Sequence, residues 1–502
     1  MSKLLVIYPN NLQKGSDMRD ILDRLSQTPE RLFLVFEDQE ITYQKAIEKI
    51  QKYKDELTIL NVNMVAIFAD NQPDWVFIDL ACQSLNICCI PLPLFFSPQQ
   101  LNHAMGEAKV DLLLSDQAAC VENIVQATAT KQSMGKLSVY RVVHDDSAVV
   151  MPDLTAKITF TSGSTGQPKG VCLSRVQQWQ VAVTLFQAVD QAQIKHLCVM
   201  PLSTLLENIA GIYAPILSAG TIYMKPLQQL GFNGSARFSI EKLLASITEV
   251  QPNTLILLPQ LLMGLVGAVA QGWLPPKSLT FIAVGGGKTA KALIEQAQQV
   301  GLPVYEGYGL SECGSVVSLN HPKQQLPGSV GKPLPHAEVR IEDGEIVVAG
   351  SVYLGYLNDP ESWQTKDVYT GDLGYFDESG FLYVNGRASQ VLVSSYGRNI
   401  NPEWVESEML CGALLQQCVV FGHSQPYCIA LVLPRKLAAT EHEIQQWIDV
   451  TNARLPDYAQ VRQWHRLAAP LSFVDGLLTS NGRPIRAAIA NQFTDDINHL
   501  YC

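Results

Sequence analysis

Ten residues constrain this chain more than any others. Thr161–Gly170 (TSGSTGQPKG) holds three glycines, four hydroxyl residues and one lysine. It lies between the runs ITF (158–160) and VCL (171–173). Glycines let backbone N–H groups turn inward on an anion. The hydroxyls add donors, and Lys169 adds a mobile positive charge. Pro168 and Lys169 break the monotony of a Gly/Ser linker, and a β-type run leads in. The stretch therefore reads as a phosphate cradle. A Walker A loop needs GxxxxGK[ST]; here Gly170 follows Lys169, so this is a different nucleotide loop. A second glycine run, Gly285-Gly286-Gly287-Lys288-Thr289, ends like a P-loop but has Ile282 where the first glycine belongs. It reads as a strand-end turn, either bringing backbone to a ligand or serving turn chemistry alone.

Length and composition set the frame for that loop. At roughly 150 residues per domain, 502 residues imply at least two domains. With 47% hydrophobic and 17% charged residues, a disordered or fibrous chain is excluded. A net charge of -11 argues against a nucleic-acid binder. The apolar part of MSKLLVIYPNNLQKG is too short for a secretory signal. Thr254–Trp273 has membrane-spanning length but contains Pro259, Gln260 and Gln271. It reads as a short strand and a buried helix, with transient membrane-surface contact as the alternative. The 11 cysteines form no CxxC pair, as expected of reduced thiols in a cytoplasmic protein. The nine histidines form no HExxH.

Strand-like runs alternate with helical ones through MVAIFAD (64–70), IPLPL, VDLLLSD, KHLCVMPLS, TLILLPQ and LTFIAVGGG. This rhythm predicts an α/β architecture with buried parallel strands. LVFEDQEIT (34–42) predicts a hairpin, and 43–57 a helix. After about residue 328 the texture changes to β-runs broken by Asp-Gly and Ser-Gly turns, which predicts a β-rich subdomain. From Pro402 onward a compact α+β pattern follows. We place the domain boundary after Arg387, giving domains 1–387 and 388–502.

Two further constellations suit a nucleotide enzyme. Tyr308-Gly309-Leu310-Ser311-Glu312 joins an aromatic ring, a turn glycine, a hydroxyl and a carboxylate able to hold a divalent cation. Thr370-Gly371-Asp372 offers a carboxylate for ribose hydroxyls, and Arg387 could hold Asp372 or reach phosphate.

Together TSGSTGQPKG, YGLSE (308–312), TGDLGYFDESGFLYVNGR (370–387) and GLLTSNGRPIR (476–486) resemble the adenylate-forming superfamily. That superfamily comprises acyl-CoA synthetases, peptide-synthetase adenylation domains and luciferases. The resemblance spans about residues 20–500 and implies a large N-terminal domain with a mobile C-terminal lid. It implies activation of a small-molecule carboxylic acid by ATP and Mg2+ to acyl-AMP with release of pyrophosphate. Transfer follows to coenzyme A or to the phosphopantetheine thiol of a separate acyl carrier protein. By matching position, Thr161, Ser162, Gly163, Ser164, Thr165, Gly166 and Lys169 would hold the β- and γ-phosphates. Tyr308, with Gly309, would stack on adenine, Ser311 would contact the α-phosphate, and Glu312 would bind magnesium. Asp372 would take the ribose hydroxyls with Arg387 alongside. Gly285, Gly286 and Gly287 would line the acyl/AMP floor, and Tyr396-Gly397 would enter the site in the thioester conformation. A monomer or homodimer is expected.

The chain departs from the family in places. Arg483 stands where the family has the lysine that bridges substrate carboxylate and α-phosphate. It keeps the charge but offers a planar fork. Arg486 is the alternative cation, and an adenylation-impaired nucleotide binder is the alternative function. The hinge is Ser389; Ser174-Arg175 replaces a usual Ser-His; Pro201-Leu202-Ser203-Thr204 lacks a usual histidine. The segment around 201–215 is mainly apolar, with no Asp to meet an α-amino group, so an amino acid is disfavoured. SSYGRNINPEWVE (394–406) is most similar to long-chain fatty acyl members. We expect a medium- or long-chain fatty acid, with an aryl acid second.

Overall fold

In the computed structural model, the segments that read as apolar strands form two large mixed sheets, each with a parallel core. The structure describes residues 21–122, 124, 127–144, 149–162, 168–233, 237–396, 398–479 and 482–501. The larger sheet has nine strands. Its parallel core runs, in spatial order, through Val304–Tyr308, Phe281–Val284, Thr254–Leu257, Lys195–Leu197, Thr221–Met224 and Leu32–Phe36. The other sheet has eight strands, with Thr155–Ser162, Cys88–Pro91, Met64–Phe68 and Leu112–Ser115 as its parallel part.

The period-two pattern of a strand explains why such runs are apolar on both faces. In Phe281–Val284, Phe281 enters the core shared by the two sheets, while Ile282 and Val284 enter the core on the outer face. The shared core also takes the helices Tyr43–Leu60, Pro73–Leu85 and Arg175–Val189. Thr254–Trp273 is a strand followed by the helix Pro259–Ala270, and no helix among the described residues is long and apolar enough to cross a membrane.

The β-rich stretch is a four-stranded antiparallel sheet of Ala337–Glu342, Glu345–Gly350, Asp367–Phe376 and Leu382–Arg387. Beyond it comes a short helical turn, Ala388–Gln390, containing the exposed Ser389. The C-terminal segment builds cores on both faces of a three-stranded sheet, with Val420 and Val432 on one face and Val419 and Leu431 on the other. The fold is thus mixed α/β, with a large N-terminal part and a smaller C-terminal one.

Candidate active site

The carboxyl ends of the parallel strands face a cleft of about 3230 Å³. An open α/β sheet binds ligands at this end because its loops can converge there. Strand Phe281–Val284 delivers Gly285, Gly286 and Gly287 to the cleft, and strand Val304–Tyr308 delivers Tyr308 through Glu312. Gly286 has φ +76°, a backbone state that disfavours any side chain. Gly309 has no room for one: a Cβ there would lie 1.9 Å from the Ser315 carbonyl oxygen. This close approach folds residues 309–315 into a tight turn, so that Ser311 and Glu312 line the cleft.

The phosphate motif is not a strand-to-helix loop. It caps an antiparallel hairpin, Thr155–Ser162 against Pro168–Ser174, in which Thr161 pairs with Lys169. The register thus joins two predicted phosphate ligands, and both line the cleft. Gly163, Ser164, Thr165, Gly166 and the Ser162 side chain lie outside the described residues. Ser174 caps the next helix, accepting the Gln177 N–H at 3.1 Å.

Lys169 and Glu312 meet at a residue the sequence reading missed. The Tyr356 hydroxyl donates to Glu312 Oε1 at 2.8 Å, and Lys169 Nζ lies 5.3 Å from the centre of the Tyr356 ring. Tyr356 forms a short strand with Gly355 against Val171 and Cys172, which fixes its place beside the phosphate hairpin. Burial and the nearby Glu312 charge push its phenol well above the ordinary range, so it stays a donor. Glu312 makes no ion pair with a lysine or arginine among the described residues. An oriented carboxylate without a cationic partner suits a hard divalent cation such as magnesium.

On the other wall, Asp372 and Arg387 face one another in the antiparallel ladder. Arg387 Nε sits 2.8 Å from Asp372 Oδ1, and the Tyr308 hydroxyl donates to Asp372 Oδ2 at 2.7 Å. Arg387 also donates to the Thr370 carbonyl at 3.1 Å. Burial raises the Asp372 carboxyl, with Arg387 pulling the other way. The sequence reading has Asp372 open to ribose; the structure gives each of its oxygens one protein partner, leaving only the remaining lone pairs.

Arg483 comes from the C-terminal segment. Its Nη2 donates to the Gly286 carbonyl at 2.8 Å, in the glycine run that lines the cleft. Arg486, the alternative cation, is engaged elsewhere: its Nη2 lies 2.5 Å from the buried Glu406. Tyr396 is 78% exposed and does not line the cleft, and Gly397 lies outside the described residues.

Pro201–Thr204 leads into a π-helical segment, Glu207–Tyr213, that no sequence signal flagged. Folding also brings His196, Cys198 and Glu207 within 4.8 Å of one another. Their separation of 2 and 11 residues hides this in the sequence.

Comparison with known proteins agrees with this geometry. The AMP-binding enzyme family matches residues 22–357, and the AMP-binding enzyme C-terminal domain matches residues 389–502. The 2-succinylbenzoate–CoA ligase of Bacillus velezensis is 30% identical over 81% of this chain and 85% of its own length. The solved O-succinylbenzoate coenzyme A synthetase from Bacillus subtilis, in complex with AMP, superposes with a TM-score of 0.75 at 25% identity, covering 93% of this chain and 97% of that one. The same enzyme has been solved with ATP and magnesium ion, at 26% identity and a TM-score of 0.75 over 93% and 98% of the two chains. An anthranilate CoA ligase at 16% identity shares the fold, with a TM-score of 0.79 over 94% and 97% of the two chains. With Thr161 and Lys169 of the hairpin, the Tyr308 wall and Arg483 opening on one cleft, and both family regions matched, the chain belongs to the AMP-binding enzyme family, as an AMP-forming acid–thiol ligase.

Proposed function

We propose that this chain activates an aryl acid with ATP and transfers it to coenzyme A. One observation carries the reading: Arg483 reaches the Gly286 carbonyl across the cleft from the Tyr308–Asp372–Arg387 wall. On this reading Arg483 is the cation that meets the acid's carboxylate and the α-phosphate. The aryl class is supported by relatives that act on 2-succinylbenzoate. A medium- or long-chain fatty acid is the second reading, favoured by the apolar residues on the cleft's inner wall.

The residues divide the work. Thr161, Ser162, Gly163, Ser164, Thr165, Gly166 and Lys169 hold the β- and γ-phosphates of ATP, with Lys169 steadied over Tyr356. Tyr308 lays its ring against adenine while its hydroxyl stays on Asp372. Asp372 takes ribose hydroxyls with its remaining lone pairs, and Arg387 opposes the upward push of burial on its carboxyl. Ser311 contacts the α-phosphate. Glu312, oriented by Tyr356, would hold magnesium, which supplies charge neutralisation on the phosphates. Arg483 draws the acid's carboxylate toward the α-phosphorus and stabilises the charge that develops there. The carboxylate oxygen bonds to phosphorus as pyrophosphate leaves. The coenzyme A thiolate then bonds to the acyl carbon as AMP leaves.

Between these steps residues 388–502 rotate about Ser389, which withdraws Arg483. Acid-dependent exchange of labelled pyrophosphate into ATP, with aryl and fatty acids in parallel, tests the first step. Mass spectrometry of products with coenzyme A tests the second. Absence of exchange with every acid would overturn the ligase reading and leave the impaired binder.

A further inference from the structure

The cleft does not stop at the nucleotide. Part of its lining, its inner arm, is made by the core shared by the two large sheets. Leu185, Ala214, Phe281, Ala283, Val316 and Leu319 line it, yet Ala214 and Phe281 are each only 2% exposed to solvent. All six belong to, or pack against, one apolar cluster. The arm therefore opens from the acid-binding side into hydrocarbon.

Charge is distributed unevenly along the cleft. Its described cations all lie toward the phosphates and the C-terminal segment, and most are committed. Lys288 donates to the Val384 carbonyl, Arg387 pairs with Asp372, Arg483 reaches Gly286 and Arg486 pairs with Glu406. No described lysine or arginine lines the inner arm. Its titratable group is His196, whose ring is engaged at both nitrogens, with Thr254 Oγ1 at 2.9 Å on Nδ1 and Glu207 Oε1 at 2.9 Å on Nε2. Gly211 locks this arrangement, because a Cβ there would lie 2.7 Å from Glu207 Oε1 and 2.8 Å from His196 Nε2. Behind the arm's one imidazole stands a buried carboxylate. A second anion in the arm would lose its water, find no cationic partner and sit near Glu207.

We propose that the acid taken by this chain ends in an uncharged, apolar group housed in this arm, and that an acid with a second carboxylate at its far end is rejected. The proposal rests on the acid-activating reading above. It separates this chain from relatives that act on 2-succinylbenzoate, whose ring keeps a free carboxylate when the succinyl end is activated.

A matched pair of probes tests it without requiring turnover. The sulfamoyl-adenosine mimics of 4-oxo-4-phenylbutyryl-AMP and 4-(2-carboxyphenyl)-4-oxobutyryl-AMP differ only in the ring carboxylate. Isothermal titration calorimetry on the full chain should give a Kd about 100-fold lower for the uncharged mimic. Equal or tighter binding of the carboxylated mimic would overturn the proposal, and so would failure of both to bind. The ligase reading stands or falls separately, on acid-dependent pyrophosphate exchange. Ala283→Leu, which narrows the arm, should weaken the uncharged mimic about tenfold while leaving AMP affinity unchanged. Unchanged affinity for the mimic in a variant that still binds AMP would show that the acid does not enter the arm.

Discussion

The two sides of the cleft hold their charged groups in opposite ways. Asp372, Arg387 and Tyr308 are tied to each other within one wall. Arg387 and Asp372 are register partners, and Asp372 is only 6% exposed. Breaking that set would strand a buried carboxylate, so the wall is preorganised. Arg483 is exposed and spans 197 residues of sequence to reach one backbone carbonyl. Its release strands nothing buried. On the proposed reading, a nucleotide would stay bound on a fixed wall while the cation needed for only one step comes and goes. Arg486, three residues on, sharpens the contrast, because its pairing with Glu406 keeps it inside the C-terminal segment.

The largest effect should come from the removable side. Arg483→Ala should slow acid-dependent pyrophosphate exchange by about 100- to 1000-fold, the usual cost of losing a preorganised transition-state donor. Thioester formation from supplied acyl-AMP should stay within about twofold. Equal losses in both half-reactions would make Arg483 a structural residue and erase the contrast. Arg483→Lys should leave exchange within about threefold, since the charge is kept; a tenfold gain would mark the planar fork as a handicap.

The fixed side should answer differently. Asp372→Ala should raise KM for ATP about tenfold and lower the melting temperature, because Arg387 and Tyr308 lose their shared acceptor. A change in kcat alone would move Asp372 from binding to chemistry. Tyr356→Phe is a smaller test of how Glu312 is aimed. It keeps the ring under Lys169 and removes only the hydroxyl, so KM for ATP should hold while the magnesium concentration for half-maximal rate rises about threefold. A purely structural Tyr356 would leave that concentration unchanged.

Local pattern made the strands legible, and spacing made the motifs legible, because both are properties of neighbouring residues. The Thr254–Leu257 strand with its following helix, the Gly285–Gly287 turn and the hairpin at 337–350 all follow from alternation and turn chemistry. Tyr356 was not legible. Its role arises from a two-residue strand docking beside the phosphate hairpin, and Gly-Tyr alone carries no such signal. The His196–Glu207 pair was hidden for a similar reason. It depends on a π-helical turn, which has no sequence period of its own. Motif position favoured Arg483 and left Arg486 open as the alternative; the partner, a backbone carbonyl for one and a buried carboxylate for the other, separates them.

That last pair sets the smallest test, and its sign decides which force dominates. Glu406 is buried in the C-terminal segment, accepts the Val420 N–H at 2.8 Å and faces Arg486. Were the ion pair dominant, its carboxyl would titrate below the usual glutamate range and stability would grow as pH rises. Burial instead pushes it up to about 7, against the pull of Arg486. An unfolded glutamate titrates at about 4.3. Between those values the folded chain keeps a proton that the unfolded chain has released. Stability from this group is therefore complete below about pH 4 and falls as pH rises toward 7. Glu306, also buried and raised to about 7, adds a slope of the same sign. Replacing Glu406 with glutamine removes its share. Denaturant titrations at pH 5 and pH 7 should show the wild type losing about 1–3 kcal/mol more than Glu406→Gln across that interval. A wild type that gains stability over the same interval would mean that the Arg486 pair outweighs burial, so that Arg486 is held by its charge.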